Sequence, residues 1–133
     1  VHQDPYSLND IERTILVLVS RSKTHADVAG ELGLPLPEVH ALLHSVLRKV
    51  AARAQGRSDS DPMDEGFQRL SSRQQQALIL LADDKTNAQI ALAIGISIGR
   101  TKDIVSEILR KLEVSSRTGA AVAFTRWLER AAK

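Results

Sequence analysis

Apolar residues return every three or four positions through most of the chain, the spacing of helices that bury one face. Between Leu70 and Val114 three such runs follow one another. They are Leu78, Leu81 and Ala82, then Ile90, Ala91 and Ile94, then Ile104, Val105, Ile108, Leu109 and Leu112. Each run has a helix start in front of it. Ser71-x-x-Gln74 and Thr86-x-x-Gln89 have the pattern of capping boxes, in which hydroxyl and amide side chains satisfy backbone N–H groups left over at a helix start. Ser97 is a suitable N-cap for the third helix, and Gly95 is the turn residue between the second and the third. The pattern predicts three helices, the last over about residues 98–112.

Two short amphipathic helices joined through Ala91, Gly95 and Ile96 predict the close crossing of a helix-turn-helix. The second helix of that motif enters the DNA major groove with its N-terminal residues toward the base edges. Here those residues are Arg100, Lys102 and Asp103.

The first half of the chain repeats the second. A shift of 62 positions aligns Leu8–Val50 with Leu70–Leu112 without a gap, and 11 of the 43 positions are identical. Matching Lys-Thr steps (Lys23-Thr24, Lys85-Thr86), turn glycines (Gly33, Gly95) and Leu-Arg-Lys endings (from Leu47 and from Leu109) are more than a shared helical period would align. Asn9-x-x-Glu12 and Thr24-x-x-Asp27 are the corresponding caps, and a helix from about Leu36 to Ala54 should bury Val39, Leu42, Leu43, Val46, Leu47 and Val50. Its tip differs, because Pro35, Pro37, Glu38 and His40 stand where the second copy has Ser97, Gly99, Arg100 and Lys102. Pro35 has no side-chain cap to offer, and Glu38 would face phosphate with the wrong sign. The first copy is therefore expected to be a weak or silent base reader.

This divides the chain into a degenerate first unit over residues 1–54, a linker over 55–69 and a second unit over 70–133. The linker reading rests on Gly, Ser, Asp and Pro without a helical period, with Met63 and Phe67 expected to dock partly on the body. Only the second unit gains a fourth helix, from about Arg117 to Ala131, with Ala120, Ala123, Phe124, Trp127 and Leu128 along one strip.

Composition narrows the class without choosing the function. Of 133 residues, 43% are hydrophobic and 26% charged, ordinary for a soluble globular protein, and without cysteine neither a disulfide nor a thiolate metal site can form. The longest apolar run, Ala77–Ala82, is too short to span a bilayer, and no secretory pattern opens the chain. A cytoplasmic protein without membrane contact is expected. Residues 1–69 carry 8 Lys and Arg against 10 Asp and Glu, whereas residues 70–133 carry 10 against 6, so phosphate attraction should reside in the second half. No phosphate-binding loop, dinucleotide fingerprint or nucleophile with a placed base is present, which argues against an enzyme and against a cofactor. His40 and His44 stand four apart on one helical face, but no third ligand occurs at motif spacing. They are read as exposed side chains, His25 as a solvated residue near a helix start, and Asp83-Asp84 as a solvated turn. No metal is expected.

From Leu70 to about Leu128 the chain resembles the LuxR-type (GerE-like) helix-turn-helix domain of bacterial transcription regulators. The resemblance rests on Leu70-x-x-Arg73, Thr86-Asn87-x-x-Ile90-Ala91, Gly95-Ile96-Ser97 with Lys102, Ile108-Leu109-Arg110-Lys111-Leu112 and Val114-x-Ser116-Arg117-Thr118. It implies an all-α protein of two tandem three- or four-helix units that binds double-stranded DNA to regulate transcription. Lys102 takes the place of the family's recognition-helix lysine, and Arg110 and Lys111 match positions near phosphates. The chain departs from the family pattern at Gln74, Gln76, Arg100, Thr101 and Ile104. Arg100, Lys102, Asp103 and Ser106 are the expected base readers. Lys85, Arg110, Lys111 and Arg117 are the expected phosphate contacts. The family's fourth helix also suggests a homodimer seam through Ala120, Ala123, Phe124 and Trp127. Two other readings stay open: a protein-interaction or anti-activator module built from decayed repeats, and a relative of sigma-factor region four that contacts RNA polymerase or another regulator.

Overall fold

The computed structural model describes residues 5–21, 24–53 and 61–133, and among them every regular element is an α-helix. In chain order these are α1 (Asp10–Ser20), α2 (His25–Leu32), α3 (Leu36–Arg53), α4 (Pro62–Arg69), α5 (Ser72–Ala82), α6 (Asn87–Ile94), α7 (Ile98–Lys111) and α8 (Arg117–Ala132). The helices α1, α2 and α3 begin 62 residues before α5, α6 and α7 respectively, so the three-helix pattern recurs at the offset of the sequence repeat.

The starts form as the capping chemistry dictates. Asn9 with Glu12, Ser71 with Gln74 and Thr86 with Gln89 close reciprocal capping boxes. The turns that follow α2 and α6 need a left-handed residue, which Gly33 (φ 66°) and Gly95 (φ 78°) supply without the steric cost of a Cβ.

One hydrophobic core runs through both halves. On the first side Ile15, Val28, Val39, Leu43 and Val46 are fully buried, and on the second Leu78, Ile90 and Ile108. The halves meet where α1 lies along α8 and where α3 packs on α4 and α5. They are therefore not two beads on a string.

Two expectations change. The second half of the proposed linker is the helix α4, while its residues 55–60 lie outside the described residues. Asp61 caps α4 and Pro62 occupies its first turn, where no intrahelical N–H is required. Phe67 is wholly buried, its ring 5.2 Å from that of Trp127. At Gly66 an added Cβ would fall 2.8 Å from Leu112 Cδ2, so the bare backbone is what lets α4 sit this close to the end of α7.

The fourth helix changes too. Ala120, Phe124 and Trp127, expected at a seam between subunits, are buried within one chain, and Ala123 is half-buried. The reason is the packing inside the chain, where α1, α5 and α4 all lie against α8. Trp127 also donates its indole N–H to Asp64 Oδ1 at 2.7 Å, joining α8 to α4. Asp64 is nearly buried, and that burial raises its pKa most, against the lowering effect of the Trp127 bond.

Candidate nucleic-acid interface

The helix α7 is anchored from below and free at its tip. Val105 and Ile108 bury its inner face against α5, and Thr101, wholly buried, donates its hydroxyl to Ser97 O at 2.9 Å. Ser97 in turn accepts from the Arg100 N–H at 3.1 Å, fixing the first turn. Gly95 and Ile96 donate to Ala91 O at 2.8 and 3.0 Å, which sets the angle between α6 and α7.

On the outer face stand Arg100, Lys102, Asp103 and Ser106, all exposed. Among the described residues neither Arg100 nor Lys102 has a side-chain hydrogen bond or ion pair. The two cations thus project from the first two turns, near the end where the helix dipole also attracts anions. No other helix among the described residues covers them.

The other four cations named from the sequence are engaged to different degrees. Arg110, exposed, pairs with Glu107 at 3.1 Å on its own helix, a solvent-screened contact. Lys111 donates to Gln74 Oε1 at 2.9 Å and to Arg69 O at 3.3 Å, while Arg69 donates back to Lys111 O at 3.0 Å. This clasp holds the end of α7 to the α4–α5 junction. Lys85 lies 3.9 Å from Asp83 Oδ2. Arg117 reaches from α8 to the start of α6, donating to Asn87 Oδ1 and Lys85 O, both at 2.7 Å. It is a strut between helices, and its guanidinium is already occupied.

The matching tip of the first unit has another environment. His40 on α3 is half-buried, its ring 5.2 Å from that of His25. His44 bonds to Gln75 Oε1 at 2.8 Å, and the Gln75 amide donates to Phe67 O. Leu36, Pro37, His40 and Ala41 line a cleft of about 450 Å³ whose far wall is Ile79, Leu80 and Ile94 of the second unit. The three histidines are therefore tertiary contacts, contrary to the solvated reading of each. Glu12 is likewise buried, accepting from Lys49 at 2.9 and 3.1 Å and from Ser45 at 3.0 Å.

A model of the luxR family of bacterial regulatory proteins matches residues 68–124, a span that contains α5, α6, α7 and the start of α8. Residues 68–124 are a LuxR-family helix-turn-helix domain. The LuxR-family domain thus supplies the exposed tip of α7, and its flanking helices supply the clasp and strut.

Relatives extend beyond it. The chain is 34% identical over 118 residues to the transcriptional regulatory protein YhcZ of Bacillus subtilis (strain 168), covering 88% of this chain and 48% of that protein. It is 30% identical over 112 residues to the transcriptional regulatory protein LiaR of the same organism, covering 84% and 52%. It is 41% identical over 58 residues to the response regulator protein VraR of Staphylococcus aureus (strain NCTC 8325 / PS 47), covering 44% and 28%. The chain spans about half the length of the first and second of these relatives. No solved structure matches it. No helix among the described residues is long and apolar enough to cross a membrane.

Proposed function

We propose that the chain regulates transcription by binding double-stranded DNA through its LuxR-family domain, with α7 in the major groove. The observation that carries this reading is the pair of exposed, unpartnered cations, Arg100 and Lys102, on the first turns of a helix held rigidly from beneath. Arg100 and Lys102 read acceptor edges of bases, and Asp103 and Ser106, further along the same face, supply a carboxylate that accepts from cytosine N4 and a hydroxyl that adapts to either partner. Arg110 neutralises phosphate. Lys111 and Arg117 act mainly by holding the domain's helices in register, and Lys85 pairs locally with Asp83.

The first unit serves as scaffold. Its α3 tip carries Glu38 in place of a base-reading cation and turns His40 toward α2 and the second unit, and its α1 covers α8. We infer that the two units descend from one duplicated helix-turn-helix, and that the earlier copy now takes the position a dimer partner would hold.

Binding to promoter fragments by fluorescence anisotropy across a salt series tests the proposal. Arg100→Gln and Lys102→Gln should each weaken binding by about 1–3 kcal/mol if they touch bases, and relax preference at one position of the site. Unchanged affinity and unchanged preference in both variants would reject the assignment. A second reading, contact with another protein such as RNA polymerase or a further regulator, draws on two exposed apolar side chains, Leu92 of α6 at 86% and Ile98 of α7 at 50%. A chain that shifts no DNA at any salt concentration would favour it.

A further inference from the structure

We propose that His25, His40 and Asp83 form a binding site for a divalent transition-metal ion of the zinc type. The three residues come from α2, from α3 and from the C-cap of α5, and their ligand atoms all lie within 4.8 Å of one another. His25 Nδ1 is 3.5 Å from Asp83 Oδ2, and the two imidazoles meet edge to face with centroids 5.2 Å apart.

Two atoms of this group have no hydrogen-bond partner. His25 Nδ1 and His40 Nε2 are both buried and both unsatisfied. His25 as a whole is only 2% exposed, so water cannot easily serve it. A buried polar atom left unpaired costs about 1–3 kcal/mol, and two of them side by side call for a shared partner. Asp83 approaches His25 Nδ1 without closing a hydrogen bond to it. Its Oδ1 already accepts from the His25 backbone N–H at 3.1 Å, which orients the carboxylate and leaves Oδ2 facing the imidazoles.

The donor set selects the class of ion. Two imidazole nitrogens and one carboxylate oxygen suit zinc and its neighbours, whereas calcium and magnesium prefer oxygen throughout. Tetrahedral bonds of about 2.0–2.2 Å place ligand atoms roughly 3.4 Å apart, so the widest pair must close by up to about 1.4 Å, within reach of side-chain rotation at the half-buried His40. Three protein ligands leave a fourth position open.

Burial also acts on the two rings. Burial lowers the His25 pKa to about 4, the Asp83 carboxylate raising it and His40 and Lys85 lowering it further. Burial lowers that of His40 as well, with opposing effects of Asp83 and Lys85. Lys85, whose ammonium is 3.9 Å from Asp83 Oδ2 and part-exposed, holds the cation's side of the carboxylate and swings outward when the ion enters. Since His25 and His40 belong to the first unit and Asp83 to the second, the ion staples the scaffold to the turn that opens α6.

Isothermal titration of the whole chain with ZnCl2, and visible absorption with CoCl2, test the site. Binding of one ion per chain is expected, with the intense cobalt spectrum of a four-coordinate site. His40→Gln and Asp83→Asn should weaken binding by at least the roughly tenfold to hundredfold that outer-shell partners alone cost, with an unchanged far-ultraviolet circular dichroism spectrum. His44→Gln and His2→Gln should leave binding intact. No binding of zinc or cobalt, or binding that survives both His40→Gln and Asp83→Asn, or binding lost in His2→Gln or His44→Gln, would overturn the proposal.

Discussion

Replacing Phe67 with Ala asks whether the two units share a single cooperative core. Phe67 is fully buried on α4, between the His44 ring of α3 at 6.4 Å and the Trp127 ring of α8 at 5.2 Å. Truncating a buried Phe costs about 3–5 kcal/mol through lost burial and the cavity left behind. The tilted pair with Trp127 adds roughly 0.5–1.5 kcal/mol to what the ring contributes, and part of that is already counted in the mutational range. A loss of about 4 kcal/mol is a large share of the roughly 5–15 kcal/mol expected for a domain of this size. With a urea slope of about 2 kcal/mol per molar, the midpoint should fall by roughly 2 M. Urea titrations should follow Trp127, the single tryptophan, by fluorescence and the helices by circular dichroism. Both signals should move together to the same lower midpoint, since Trp127 reports the second unit and the helical signal reports both. Two separated transitions, or a loss under about 1 kcal/mol, would refute a shared core and return residues 61–69 to the status of a tether.

Arg117→Ala should destabilise the chain by about 2–4 kcal/mol, because two charge-assisted bonds to Asn87 and Lys85 are lost, and should leave the salt dependence of DNA binding unchanged. A stable variant whose salt slope falls by about one unit would make Arg117 a phosphate contact after all. For Glu12, burial is the largest influence and would raise its pKa, but the bonds from Lys49, Asn9 and Ser45 outweigh it and hold the carboxyl below its ordinary value near 4.5. Its stabilisation is therefore full above that value and is lost as pH falls through the lower, folded-state pKa. Glu12→Gln should flatten the acid limb of a stability–pH curve measured by urea unfolding; an unaltered limb would count against the network. Asp64, whose pKa is raised, contributes a slope of the opposite sign that the variant should retain.

Much of the fold was legible because its signals are local. A cap such as Ser71 with Gln74 spans four residues, and the turn at Gly95 depends on one φ angle, so both can be read without knowing what lies nearby. The helix α4 had such a signal in Asp61-Pro62-x-Asp64, an N-cap, a first-turn proline and a box-closing carboxylate. The surrounding Gly, Ser and Asp hid it, as did Gly66, whose value lies in its fit against Leu112 and not in helix propensity. Within the candidate interface, exposure of Arg100 and Lys102 followed from the helical period of α7. What the period could not carry is pairing across the fold. Arg117 looks as free as Arg110 in the sequence, and only tertiary geometry brings it to Asn87, 30 positions away. His25 and Asp83 are 58 apart, and nothing local announces their encounter.

If α1 stands in for a second subunit on α8, as proposed above, the molecule answers differently to its own abundance. Where two separate polypeptides must first find each other, occupancy of a target rises steeply with concentration and the target tends toward a palindrome. A counterpart tethered on the same backbone never dissociates by dilution. Such a molecule would load onto DNA one copy at a time, in simple proportion to supply, and would favour short sites lacking two-fold symmetry.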